Sequence, residues 1–285
     1  MRTAHHNPSE LEFQGRLRQS YHLEMVRDRQ RVNAIRSAID VVADRSANFL
    51  ELGCGSGLFT KYAAGKFAAA IGVEGDPRMY DIASRHCGVS NGTSDGVLHG
   101  DALKMEFPIK FDVLLCEMLS TWLVTEPQVP VLRFARERFL NVSPKSIIPR
   151  RVINLFELGS FEFGNDLVTL TVAIPQFTGV TPPTIITESK VANEIDFERG
   201  ELPEEMTGSI TIRALADCVV NAARLSSIID LAPGVSFYST DTLMPPIIAP
   251  VTPACRVLRG EELLFSYRYR HMTPIEEIRL SVLRK

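Results

Sequence analysis

Apolar and polar positions alternate in blocks along the first half of the chain. From Leu17 to Val42 apolar residues recur at helical spacing, which predicts one long helix. Asn48–Leu52 reads as a strand, Leu58–Phe67 as a helix and Ala69–Val73 as a second strand. Pro77–Cys87 is predicted to be a helix with proline in its first turn. Val97–His99 and Phe111–Cys116 follow as strands, and the Val113-Leu114-Leu115 run suits a buried parallel strand. Val129–Leu140 closes the series as a helix. This βαβ alternation predicts an α/β fold with a doubly wound sheet.

From Ile147 onward the texture changes. Ser209–Arg213 alternates with period two, and Val219–Leu231, Glu262–Arg270 and Glu277–Leu283 are further extended candidates between turn residues. Five of the 17 prolines precede residue 141 and twelve follow it, so turns and short strands dominate the second half. A β-sandwich or small barrel is the expectation there, with Pro144–Pro149 as the join.

Composition narrows the function classes. The chain has 285 residues, 45% hydrophobic and 23% charged, which is ordinary for a soluble globular protein. A formal net charge of −3 supplies no basic field for a polyanion, so a nucleic-acid partner is not expected. No apolar run reaches membrane-spanning length, and residues 1–10 are polar rather than signal-like. Cys54, Cys87, Cys116, Cys218 and Cys255 are dispersed without a CxxC pair. They read as reduced thiols of a cytoplasmic protein with no metal site.

Chemistry concentrates first in Phe49-Leu50-Glu51-Leu52-Gly53-Cys54-Gly55-Ser56-Gly57. A strand ending in Gly53, Gly55 and Gly57 leaves backbone amides bare, so a ligand can approach without meeting a β-carbon. The dinucleotide fingerprint spaces its last glycine one residue further on. Glu51, opening the loop, suits an amine or sulfonium better than a pyrophosphate. The loop resembles motif I of the S-adenosylmethionine-dependent methyltransferases, which implies that cofactor. Other residues fit the same sheet. Glu74 ends the second strand, where a carboxylate can accept both ribose hydroxyls, and Asp101 follows the third, where it could accept from the adenine amino group. Asp28 and Arg31 share a helix face, and Arg31 could fork onto the methionine carboxylate of the cofactor. Each also has an ordinary reading, as a helix cap or as a solvated helix face.

After the fourth strand, Glu117 and Glu126 stand nine positions apart and bracket an apolar hairpin. Loops at the carboxyl ends of parallel strands face the ligand crevice. Two unpaired carboxylates there would repel one another, and a guanidinium would satisfy both. The alternative is that Glu117 bonds the chain's own Arg150 or Arg151 and Glu126 merely precedes Pro127 in a turn.

With these residues the chain resembles the protein arginine methyltransferase family, whose double-E loop has two glutamates at this spacing. Glu24-Met25-Val26-Arg27-Asp28-Arg29-Gln30-Arg31 is similar to the family's E-M-L-x-D-x-x-R, so the resemblance adds Met25 to the cofactor residues. Phe134–Leu140 followed by Ile148-Pro149 resembles its A-R-D-x-x-L…F-P stretch, and Val257–Glu262 its V-x-x-G-E-E. The likeness runs from about residue 13 to 270. The family's Y-F-x-x-Y segment appears as Glu12-Phe13-Gln14-Gly15-Arg16, leaving Phe13 alone to cover the cofactor. Its Thr-His-Trp loop falls on Thr242-Leu243-Met244, so the histidine expected beside Asp28 is gone. The stretch from Leu158 to Ile195 is short, and the dimerisation arm is largely missing.

The resemblance implies a seven-stranded-type methyltransferase sheet followed by a barrel-like domain. Residues 1–46 would form a helical segment over the cofactor, 47–148 the S-adenosylmethionine-binding domain and 149–285 the substrate domain. The expected activity is N-methylation of a guanidino nitrogen, with Glu117 and Glu126 as the clamp and Asp28 as nominal proton acceptor. Loss of the histidine loop and arm favours free arginine or a similar small molecule over a protein tail. A homodimer, if formed, would lack the usual arm. An amine or carboxyl acceptor and a non-catalytic cofactor-binding scaffold are the alternatives.

Overall fold

A computed structural model describes residues 19–142, 144–177 and 179–285. The first half forms five parallel strands: β1 (Asn48–Leu52), β2 (Ala69–Glu74), β3 (Gly96–His99), β4 (Val113–Cys116) and β5 (Ser146–Ile148). They lie in the order β3-β2-β1-β4-β5, a doubly wound, Rossmann-like arrangement. Five helices accompany them: α1 (Gln19–Arg27), α2 (Arg29–Val42), α3 (Leu58–Ala63), α4 (Pro77–Cys87) and α5 (Gln128–Arg138). Every residue of β2 and β4 is buried, which is why these segments read as unbroken apolar runs. Burying side chains such as Val113, Leu114 and Leu115 stabilises the sheet by about 1.5–3 kcal/mol each.

Three expectations need correction. The long helix is two helices, because Asp28 leaves helical geometry (ψ 87°) and caps the second with its side chain. The helix after β1 stops at Ala63, ahead of Gly65, which has a φ of 77°. The join at Pro144–Pro149 holds a strand, β5, paired in parallel with β4.

The second half is antiparallel. Its strands are β6 (Arg151–Ser160), β7 (Ile174–Pro175), β8 (Thr184–Ile185), β9 (Lys190–Asp196), β10 (Glu205–Arg213), β11 (Cys218–Ala232), β12 (Val235–Tyr238), β13 (Ile247–Val257), β14 (Glu262–Arg270) and β15 (Arg279–Arg284). One sheet runs β7-β13-β11-β6-β8, with β12 on β11 and β9 on β6; the other is β10-β14-β15. Their inner faces enclose one core, in which Phe156 stacks on Phe265 with centroids 4.1 Å apart. Strand β14 buries Leu263, Phe265, Tyr267 and Tyr269 and turns the intervening residues outward, the period-two pattern of a half-buried strand.

The halves share apolar interior. Ile229, Leu231, Phe237 and Met244 belong to the same buried cluster as Ile35 and Ile39 of α2 and the strands of the parallel sheet. Among the described residues, no helix is long and apolar enough to cross a membrane.

Candidate active site

Strand order reverses between β1 and β4, the place where open α/β sheets bind ligands. These strands pair in register Leu52↔Cys116, so the glycine loop and the acidic loop leave the sheet side by side. The glycines take left-handed backbone, with φ of 72° at Gly53, 54° at Gly55 and 78° at Gly57. A β-carbon on Gly53 would lie 2.5 Å from the Met118 methyl, so glycine lets the two loops touch. The expected row of bare amides is largely used internally. Gly53 and Cys54 N–H donate to the Val73 carbonyl at 2.9 Å, Gly57 N–H to Cys54 at 2.8 Å, and Gly55 N–H to Glu74 Oε2 at 2.7 Å. Carboxylates, not N–H groups, are what this end of the sheet gathers.

Glu51 is 3% exposed and accepts a short hydrogen bond from the Thr60 hydroxyl. Burial pushes its carboxyl up to about 8, against the lowering effect of that hydroxyl. Glu74 is also buried. It accepts from the Gly55 and Asp76 amides at 2.7 Å each, which ties the loops after β1 and β2 together. Asp101, expected near the adenine, lies in the turn after β3. It accepts from Leu103 N–H at 3.0 Å and pairs with Lys104 at 3.1 Å, so its carboxylate serves its own turn.

Asp28 is likewise engaged. Its Oδ1 accepts from Arg31 N–H at 3.1 Å as the cap of α2, and its Oδ2 from Leu243 N–H at 3.0 Å. Leu243 is the position where a histidine was expected, so the two segments do meet, through a backbone amide. With each oxygen accepting from one amide, Asp28 ties α2 to the 239–244 loop. Asp28→Ala is expected to cost about 0.5–2 kcal/mol in denaturant unfolding, as for a lost cap. It should leave the shape of the activity–pH profile unchanged, whereas removal of the proton acceptor would flatten it.

Arg31 is 3% exposed, and its Nη2 makes a close ion pair with Glu117 Oε1. Burial alone would lower its pKa, but the adjacent Glu117 more than offsets this and holds it above the usual value. Arg31 Nη1 is buried without a hydrogen-bond partner among the described residues. An orphaned donor of this kind, beside a loop of three glycines, is what a ligand carboxylate would complete. Met25 is half-buried on α1, one turn before Asp28. Phe13 lies outside the described residues.

The acidic loop is asymmetric. Burial raises the Glu117 carboxyl, an effect Arg31 partly cancels, and among the described residues its Oε2 carries no hydrogen bond. Glu126 has no hydrogen-bond partner there at all, and burial together with the Glu117 charge pushes it up to about 7. Neither glutamate bonds Arg150 or Arg151, which pair with Glu198 and with Glu194 and Asp230. Tyr21 of α1 escaped notice in the sequence. Burial and the Glu126 charge push its phenol up to about 12, so it shares the electrostatic environment of the pair. Its spacing, seven residues before Asp28 on the same face as Met25, was the available signal.

Residues 49–138 match the family model of a methyltransferase domain. An uncharacterized protein of Methanothermobacter thermautotrophicus is 32% identical over 249 residues, spanning 87% of this chain and 92% of its own. One from Methanocaldococcus jannaschii is 25% identical over 262 residues, covering 92% and 96%. Among solved structures, the Trypanosoma brucei PRMT1 enzyme–prozyme heterotetrameric complex with AdoHcy superposes with a TM-score of 0.72 at 16% identity, covering 88% of this chain and 87% of that one. Protein arginine methyltransferase 10 of Arabidopsis thaliana gives 0.74, also at 16% identity and over 88% and 87%.

Proposed function

Because the chain belongs to one family with the Methanothermobacter thermautotrophicus protein and is an S-adenosylmethionine-dependent methyltransferase on the protein arginine methyltransferase fold, we propose that it methylates a guanidino nitrogen of arginine or an arginine-like small molecule. The observation that carries this reading is the acidic loop, where Glu117 Oε2 and the whole Glu126 carboxylate have no hydrogen-bond partner among the described residues. A planar cation with several N–H donors can satisfy both.

The chain's own residues fit the cofactor. Arg31 Nη1 would take its carboxylate, and Glu51 and Glu74 the positive and hydroxyl-bearing parts. Bound there, S-adenosylmethionine supplies a methyl group made electrophilic by the sulfonium. The protein's work is then alignment and charge placement. Positioning of this sort contributes up to about 7–11 kcal/mol in ideal cases. Glu126 and Glu117 Oε2 hold the guanidinium, concentrate its positive charge on the nitrogens they touch, and leave electron density on the remaining one. Charge that grows on the acceptor during transfer is met by carboxylates already in place. Afterwards Glu126, which bonds no other group among the described residues, takes the proton.

This role sets a pH dependence. Glu126 is neutral below about 7 and ionised above it, and only the ionised form can clamp a cation. The expected kcat/KM rises about tenfold per pH unit below 7 and levels off above it. A flat profile from about pH 5.5 to 8.5 would remove Glu126 from the mechanism.

A second reading keeps the cofactor and changes the acceptor to a metabolite amine. The Arg31–Glu117 pair favours it, because it leaves one fully free carboxylate, enough for a single ammonium. A labelled-methyl assay over arginine, guanidino analogues, small amines, carboxylic acids and arginine-containing peptides separates these. A fragment spectrum locating the new methyl on a guanidino nitrogen supports the first reading. Transfer to amines alone overturns it, and tight cofactor binding with no transfer to any acceptor would leave a scaffold.

A further inference from the structure

The hairpin between Glu117 and Glu126 contains an elbow whose backbone its own residues resist. Trp122 and Leu123 have φ of 62° and 58°, a region that residues with a β-carbon avoid. Two such residues in succession persist only where their surroundings over-determine them. Within the loop, Leu123 N–H donates to the Ser120 carbonyl at 2.8 Å, and the Thr125 and Glu126 amides reach Ser120 Oγ at 3.1 and 3.2 Å.

The remaining hold comes from the antiparallel half. Trp122 N–H donates to the Ser227 hydroxyl at 3.0 Å, and that hydroxyl donates to Asn154 Oδ1 at 2.8 Å. The Ser227 amide is itself fixed by Ser239 Oγ at 3.0 Å. Asn154, Ser227 and Ser239 are all but fully buried, so a hydroxyl at 227 is tolerable only with both its roles used, as here. From the other side His271 Nδ1–H donates to the Leu123 carbonyl at 2.7 Å, and Thr273 N–H to Val124 at 3.2 Å. Among the described residues His271 Nε2 is buried and bare, a cost that an apolar side chain would avoid while leaving the Leu123 carbonyl without its donor. The indole N–H reaches the Leu155 carbonyl at 2.9 Å, and the ring lies edge-on to Tyr267.

We propose that Ser227, backed by Asn154, and His271 are positioning residues of the methyl-transfer site: they fix the Trp122–Leu123 elbow and with it the relation of Glu117 to Glu126. This rests on the acidic loop being the acceptor site. It assigns to the antiparallel half a share in setting the geometry of a loop that the parallel sheet carries.

Trp122 is the one tryptophan of the chain, so its emission reports the elbow with no acceptor present. Ser227→Ala and His271→Leu are expected to red-shift that emission and increase its quenching by acrylamide. They should lower kcat about 10- to 100-fold, the loss that follows from misplacing a catalytic group by about 1 Å, with cofactor affinity unchanged. Ser227→Thr restores the hydroxyl and His271→Gln an N–H donor, and each should recover most of the turnover. Native emission and native kcat in both Ser227→Ala and His271→Leu overturn the proposal. So does equal impairment of Ser227→Ala and Ser227→Thr, which would indicate shape rather than the hydrogen bond. If guanidino compounds are not methylated, kcat is read with the acceptor that is, and the emission test stands on its own.

Discussion

Glu126→Gln will lower turnover by roughly 10²–10⁴-fold while leaving cofactor affinity within a few-fold of the wild type. The substitution keeps the shape of the side chain and one acceptor oxygen. It removes the charge that holds the acceptor and the site that receives its proton. Glu126 makes this a clean experiment, because among the described residues no hydrogen bond of the protein depends on its carboxylate. The pH profile of the residual activity should lose its rise through 7. Turnover within tenfold of the wild type would mean that the acceptor is held elsewhere.

Arg31→Leu should have the largest effect on stability. Glu117 would remain buried with its one ion-pair partner among the described residues gone, and breaking a buried pair from one side costs about 3–5 kcal/mol. Cofactor affinity should fall about 10- to 100-fold as well, the equivalent of one lost charge-assisted hydrogen bond. The double variant Arg31→Leu/Glu117→Leu separates these effects. Replacing both ions by apolar groups returns most of the unfolding free energy but neither cofactor affinity nor turnover. Denaturant unfolding and cofactor titration of the three variants check this. An Arg31→Leu protein as stable as the wild type would show that the pair contributes nothing to the fold.

The parts of this molecule legible in the sequence are those governed by local pattern. Strand β1 and helix α4 end where the apolar runs and the proline place them, and β14 follows its alternation residue for residue. The break at Asp28 was hidden, because an aspartate in a helical pattern reads alike as a surface residue and as a cap. Strand β5 is three residues long, too short for any period to register. The candidate residues themselves were legible from motif spacing, but their division of labour was not. Glu117 and Arg31 are 86 positions apart, and nothing local to either reveals that they pair. Nor could spacing tell that Asp28 accepts from the Leu243 amide and Asp101 from the Leu103 amide, since that depends on which amides the fold brings within reach.

Helix α1 contributes no fully buried residue, whereas α2, directly after Asp28, contributes five. Peeling the first away therefore sacrifices little apolar contact and leaves the interior sealed by the second. His22 on that first helix lies beside Gly55, so the helix that flanks the glycine loop is one that buries none of its residues. Exchange of a methyl donor seated there would draw on a helix held by little apolar contact, and would also part Tyr21 from the acidic pair.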